Sequence, residues 1–129
     1  MSRLLDTTVF VDYYRNDPKA KNFLQDGTHL ICSIITAAEL IQGSRNKNEQ
    51  RNVDKLLAKA VLIPLSPEIG DIMLSLMKSY FLSHGLQIPD ALIAATVIEE
   101  GLTLVTSNTK HFSFIKGLKL EDWEKVKNW

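Results

Sequence analysis

Three carboxylates stand in apolar company where a folded chain ordinarily places Leu or Ala. Asp6 follows Leu4-Leu5, Glu39 sits within Thr36-Ala37-Ala38-Glu39-Leu40-Ile41, and Asp90 follows Ile88-Pro89 and opens Ala91-Leu92-Ile93-Ala94-Ala95. An ionised carboxylate withdrawn from water must be paired, neutralised or bound to a cation. None of these stretches supplies a Lys or Arg. A hard divalent cation shared by the three explains them together, and it points to metal-assisted phosphoryl chemistry.

Each acid also has a purely structural explanation. Asp6 can cap a following helix, a role worth about 1 kcal/mol. Thr36 to Glu39 fits a capping box, although Ser33 is an equally good cap directly after an apolar run and places Glu39 in the second turn. Asp90 near a helix start meets the favourable end of the dipole, worth roughly 0.3–1 kcal/mol. Capping accounts for each acid singly but not for the apolar flanks they share. Asp12 is weaker: it can pair with Arg15 and reads as a surface residue close behind the ligands. Asn108 caps the turn before His111-Phe112 and can hold a metal-bound water. Glu49, Asp54, Glu99, Glu100, Glu121 and Asp122 have polar neighbours and read as solvated.

The elements that position these residues follow from the hydrophobic pattern, in which short apolar runs alternate with helical periods. Arg3-Leu4-Leu5-Asp6, His29-Leu30-Ile31-Cys32, Val61-Leu62-Ile63-Pro64 and Leu102-Thr103-Leu104-Val105-Thr106 are predicted strands, with an edge strand near Leu118-Lys119-Leu120. Helices are expected over Val9 to Arg15, Lys19 to Gln25 (ended by Asp26-Gly27), Ser33 to about Ser44, Asn48 to Ala60, Ser66-Pro67 to Gly85 and Asp90 to Glu100, with a short turn over Asn108 to Phe112. Ser66 as cap, Pro67 at the first position and Gly85 as stop are strong punctuation. Strands alternating with helices imply parallel pairing, and ligands then sit beyond the carboxyl ends of the strands. Asp6 and Thr106 both end predicted strands and should face that edge.

Bulk properties narrow the alternatives. At 129 residues, with 45% hydrophobic and 23% charged side chains, the chain reads as one globular domain over 1–129. Fifteen basic and fifteen acidic residues cancel, which argues against coating nucleic acid by net charge. A local basic patch remains: between Ser44 and Ala60, Arg45, Lys47, Arg51, Lys55 and Lys59 face Glu49 and Asp54. A solvated helix face is one account of it; contact with RNA or a partner is the other. Cys32, the single cysteine, lies among Leu30, Ile31, Ile34 and Ile35 and is expected to be a buried thiol. No apolar run approaches the roughly 20 residues of a membrane span, and no signal-peptide core follows Met1, so a cytoplasmic location is expected. The histidines and Cys32 lack zinc-ligand spacing, and there is no Gly-rich phosphate loop.

Four stretches together resemble the PIN-domain nucleases, and within them the VapC-type toxins of toxin–antitoxin pairs: Leu4-Leu5-Asp6-Thr7-Thr8-Val9-Phe10-Val11-Asp12-Tyr13, Ser33 to Gly43, Pro89 to Thr96, and Leu104-Val105-Thr106-Ser107-Asn108-Thr109-Lys110-His111-Phe112. The resemblance implies a three-layer α/β/α sandwich around a small parallel sheet of four to five strands. It implies that Asp6, Glu39 and Asp90 bind Mg²⁺ or Mn²⁺, and that the chain cleaves single-stranded RNA to leave a 5′-phosphate and a 3′-hydroxyl. It further implies a homodimer silenced by a small antitoxin that inserts a segment into the active-site groove. Thr7 and Thr106 would orient ligands or the scissile phosphate, Asn108 would hold a water, and Arg45, Lys47, Arg51 and Lys110 would contact substrate or partner. Two positions depart from the family pattern: Asn108 replaces a frequent fourth acid, and Ser107 a frequent Arg. Three rivals remain: a PIN-like module that binds without cutting, a DNA nuclease of the same fold, and a phosphoacceptor receiver domain. The last requires an acid pair after the first strand and an Asp ending the third, where this chain has Asp6-Thr7 and Ile63-Pro64-Leu65.

Overall fold

The computed structural model describes residues 2–25 and 30–128. Five short strands are all parallel. β1 (Arg3–Leu5) pairs with β4 (Thr103–Thr106), which pairs with β5 (Leu120–Asp122), while β2 (Ile31–Ser33) pairs with β3 (Val61–Ile63). β1 and β2 run side by side, so the order across the molecule is β3-β2-β1-β4-β5. The expected small parallel sheet is therefore present, divided into a three-stranded and a two-stranded ladder.

The pleat divides the core. Side chains alternate across a strand, so Leu4 and Leu104 face one side and Leu5 and Val105 the other. On the first side they meet α5 (Pro67–His84) and α6 (Ile88–Glu100) through Ile69, Leu76, Ile93 and Val97. On the second they meet α1 (Thr7–Tyr14), α2 (Pro18–Leu24), α4 (Lys47–Leu57) and α7 (Trp123–Val126) through Phe10, Leu24, Val53 and Trp123. Helix α3 (Ile34–Gln42) touches α1, α4 and α6 and so bridges the two sides. This is the three-layer α/β/α arrangement.

Local chemistry sets the boundaries. Ser33 caps α3, its Oγ accepting from the Ile35 amide at 3.0 Å, so the Thr36–Glu39 capping box does not form. Ser66 caps α5 ahead of Pro67, and α5 ends at Gly85 with φ 69°, a left-handed conformation that only glycine adopts freely. Helix α1 starts two residues before the expected Val9, directly after Asp6. Asn46 caps α4. The predicted helix end at Asp26-Gly27 and the strand start at His29 lie outside the described residues. Cys32 is buried and its thiol is pushed up to about 12 by that burial, as a packing role requires.

Three expectations are corrected at the carboxyl end. The last strand begins at Leu120 rather than near Leu118, and the short helix α7 follows it. Glu121 and Asp122 are not free surface acids: Glu121 takes both guanidinium bonds of Arg3 at 3.0 and 3.1 Å, and Asp122 caps α7. Asp12 does not pair with Arg15. Its carboxylate accepts from the Trp123 indole at 2.8 Å and from Lys127 at 3.0 Å. Lys127 also reaches Asp17 at 3.0 Å and Glu124 at 3.1 Å. Among the described residues no helix is long and apolar enough to cross a membrane.

Candidate active site

The site is built at the carboxyl edge of the sheet. Asp6 leaves β1 there, its amide donating to the Val105 carbonyl at 2.9 Å, which locks it beside the end of β4. It occupies the N-cap position of α1 but makes no capping bond with its side chain. Its carboxylate instead accepts from Thr106 Oγ1 at 2.7 Å and from Thr8 Oγ1 at 3.1 Å. Thr106 is fully buried and in turn accepts the Asn108 amide at 3.0 Å. Thr8 accepts the Ser107 amide, also at 3.0 Å. Two hydroxyls and two amides thus fix one carboxylate that is 5% exposed.

Glu39 projects from the second turn of α3, and its Oε1 accepts from Thr7 Oγ1 at 2.7 Å. Thr7 is itself held 3.2 Å from the buried Thr36 hydroxyl. Asp90 lies in the first turn of α6, where the helix dipole favours its charge. Its carboxyl is nevertheless held above the ordinary value, first by burial and next by the charge of Asp6, with Glu39 adding to both. His111, whose Nδ1 lies 3.4 Å from Asp90 Oδ2, partly offsets this.

Asp90 therefore feels the charges of both Asp6 and Glu39. Among the described residues none of them pairs with Lys or Arg. Nor do any three His, Cys, Asp or Glu side chains close to the spacing of ligands around one ion. Hydroxyls tether Asp6 and Glu39. The donor set suits Mg²⁺ or Mn²⁺, being hard carboxylate oxygens with Thr partners that hold them behind the site. A groove of about 680 Å³ opens on Glu39 between α1, α3 and α4, where Val11, Tyr14, Leu40 and Val53 line it together with polar side chains that include Arg15 and Asn52.

Residues 3–117 match the family model of the PIN domain. The chain belongs to the PIN-domain family. Its PIN domain is 35% identical over 121 residues to Ribonuclease VapC10 of Mycobacterium tuberculosis, the match spanning 90% of each chain. It superposes on a toxin–antitoxin complex from Klebsiella pneumoniae with a TM-score of 0.75 at 30% identity, covering 91% of this chain and 95% of the other. The VapBC2 structure from Rickettsia felis, bound to a DNA fragment from their promoter, gives 0.77 at 29% identity over 95% and 99% of the two chains.

In this PIN domain the receiver alternative has no place, since β3 ends at Ile63 with no acid behind it. Thr7 and Thr106 do touch the acids, one each. Asn108 does not cap the following turn: its side chain makes no capping bond, and it is exposed at the rim. Arg45 is held by Glu49, Nη2 to Oε2 at 2.7 Å, so it is not a free cation and Glu49 is not a free acid. Lys47 and Arg51 are exposed on α4, the Arg51 Nε bonding to the Lys47 carbonyl at 3.4 Å. Lys110 is exposed beside a separate cavity that also reaches Asp90. Thr8, Thr36 and His111 contribute without having been singled out by sequence. The signal for Thr8 was present, because it directly follows the Asp6-Thr7 pair; Thr36 was read only as a possible cap.

Proposed function

We propose that this PIN domain is a divalent-metal-dependent endoribonuclease that acts as the toxin of a toxin–antitoxin pair. The observation that supports it best is the set of three acids at one sheet edge, unpaired by Lys or Arg and two of them oriented by Thr hydroxyls, in a chain related to the VapC ribonucleases. Asp6, Glu39 and Asp90 would hold Mg²⁺ or Mn²⁺. The bound ion supplies Lewis acidity at the scissile phosphate and neutralises charge there. The protein contributes orientation: Thr106 and Thr8 fix the Asp6 carboxylate, Thr7 fixes Glu39, and the start of α6 presents Asp90. Asn108, exposed at the rim, would hold a water or a phosphate oxygen. The RNA enters over Asp90 and Glu39 and leaves its product ends at the same edge.

The groove leading to Glu39 would receive a segment of a small antitoxin, with Arg15 in its lining, and Lys47 and Arg51 exposed elsewhere on α4, meeting acidic residues of the partner. A homodimer would bury the exposed Leu74, Phe81 and Leu82 of α5 and the neighbouring Ile88. Purified protein incubated with RNA and Mn²⁺ tests the activity. Cleavage that stops with EDTA and is lost in Asp6→Asn and Glu39→Gln is expected. Persistent cleavage in chelator would refute the metal role, and RNA binding without any cleavage would favour a non-cutting module.

A further inference from the structure

The mechanism leaves unused a second cavity, about 230 Å³, that reaches Asp90 and is lined by His84, Gln87, Lys110, His111 and Phe114. The groove on Glu39 mixes aliphatic side chains with polar and charged ones, Arg15 and Glu49 among them; this cavity sets aromatic planes beside Lys110. The His84 and Phe114 rings stack with centroids 4.2 Å apart and planes 10° off parallel. Tyr80 braces both edge-on, at 6.0 Å from His84 and 5.3 Å from Phe114. The Tyr80 hydroxyl also accepts the Lys116 amide at 3.1 Å, tying the segment after β4 to α5. Ser83 Oγ lies 2.7 Å from His84 Nδ1 and fixes the ring. Lys110 is exposed and, among the described residues, makes no ion pair.

We infer that this cavity is a nucleotide subsite for single-stranded RNA, taking one unpaired base beside the scissile phosphate. The base stacks on His84, and its phosphate lies against Lys110 and His111. This rests on the ribonuclease function proposed above and adds to it where the substrate is gripped. An acidic centre repels the nucleic-acid backbone, so the cations that hold it must stand at the margin of the site. Lys110 stands there, with the His111 ring beside it as a hydrogen-bonding group, whereas Arg45 is already held by Glu49. The volume lies below the roughly 300–1,000 Å³ of pockets for drug-sized ligands, so it admits a single flipped base and not a duplex. Stacking on an aromatic plane tolerates any base, which suits backbone-led binding with modest sequence preference.

The test is binding of a fluorescein-labelled single-stranded oligoribonucleotide in EDTA, where cleavage is excluded, so that loss of activity and loss of the subsite are read separately. His84→Ala should weaken binding about 5- to 100-fold, the range for one base–aromatic stack, and His84→Trp should restore it. Lys110→Ala should lower the slope of log affinity against log salt by about one, with Lys110→Arg retaining it and Lys21→Ala, on α2 and away from this cavity, unchanged. One abasic nucleotide next to the cleaved bond should mimic His84→Ala in the wild type and add nothing in the variant. Wild-type affinity in His84→Ala, or additive losses from variant and abasic site, would overturn the subsite even if cleavage is intact. Wild-type protein that binds as described but never cleaves in Mn²⁺ would instead overturn the ribonuclease assignment.

Discussion

Replacing Thr106 with Val keeps the shape of a fully buried side chain and removes one hydroxyl. That hydroxyl donates to Asp6 at 2.7 Å and accepts the Asn108 amide at 3.0 Å. A hydrogen bond to a charged group contributes about 1.5–3 kcal/mol, and a stranded partner loses its own solvation as well. The expected folding loss is about 2 kcal/mol, less whatever Thr8 recovers by turning fully to Asp6. The larger consequence falls on metal affinity. Groups that orient a ligand from behind typically change affinity by roughly 10–100-fold when removed. Mn²⁺ titration by calorimetry should therefore show that weakening in Thr106→Val, while Thr106→Ser stays within a few-fold of wild type. Urea denaturation in EDTA gives the folding term separately, because Mn²⁺ raises the apparent stability by mass action. If Thr106→Val folds less stably but binds Mn²⁺ as tightly as wild type, Asp6 is not oriented by this hydroxyl and the proposed division of labour fails.

Asp90→Asn should stabilise the metal-free protein at neutral pH. The Asp90 carboxyl is held above its ordinary 3.8, so its ionised form opposes folding above that raised midpoint and the opposition fades as pH falls toward 3.8. The difference between wild type and Asp90→Asn in EDTA should accordingly shrink between pH 7 and pH 4 in denaturant titrations; a constant difference would contradict the electrostatic origin. Trp123→Ala should destabilise by about 3–5 kcal/mol, since Trp123 is fully buried and packs edge-on against Phe23 at 5.2 Å; urea midpoints check it. Lys127→Met should lower the melting temperature across the whole neutral range. Its ammonium is held above its ordinary value by Asp17 and Asp12, and Asp17 is held below its own by Lys127, so the stabilisation disappears only at strongly acid or strongly alkaline pH. A melting temperature unchanged by this substitution would remove the three-acid clasp as a stabilising feature.

What the chain reveals of its own fold depends on the range over which the signal acts. Ser33, Ser66-Pro67, Gly85 and Gly101 act on their own neighbours, and each ends or begins a helix as its chemistry dictates. Leu4-Leu5 and Leu104-Val105 announce a buried strand because both faces of a parallel strand are covered. Asp6 is conspicuous for the same reason, since burial makes charge anomalous, whereas Glu39 and Asp90 are half-buried and stand out by their apolar neighbours in sequence. The clasp at the carboxyl end was invisible because its partners are 111 and 115 residues apart and no periodicity links Asp12 to Trp123 or Lys127. Helix α7 spans only Trp123–Val126, too short for a hydrophobic period. Asn108 misled because Asn commonly caps turns, whereas here the amide of its own backbone does the work through Thr106.

The order of the strands has a consequence for biosynthesis. β1 emerges first but finds its ladder partner only when Thr103–Thr106 has been made, and Asp6 meets Thr106 across a separation of 100 residues. At about 5–20 residues per second, a nascent chain spends roughly 5–20 s with its leading carboxylate made and only the neighbouring Thr8 hydroxyl to hold it. The proposed metal-binding edge is thus among the last features to exist on each new molecule, and an interrupted translation product that stops short of β4 would carry Asp6, Glu39 and Asp90 without the strand end that orients Asp6.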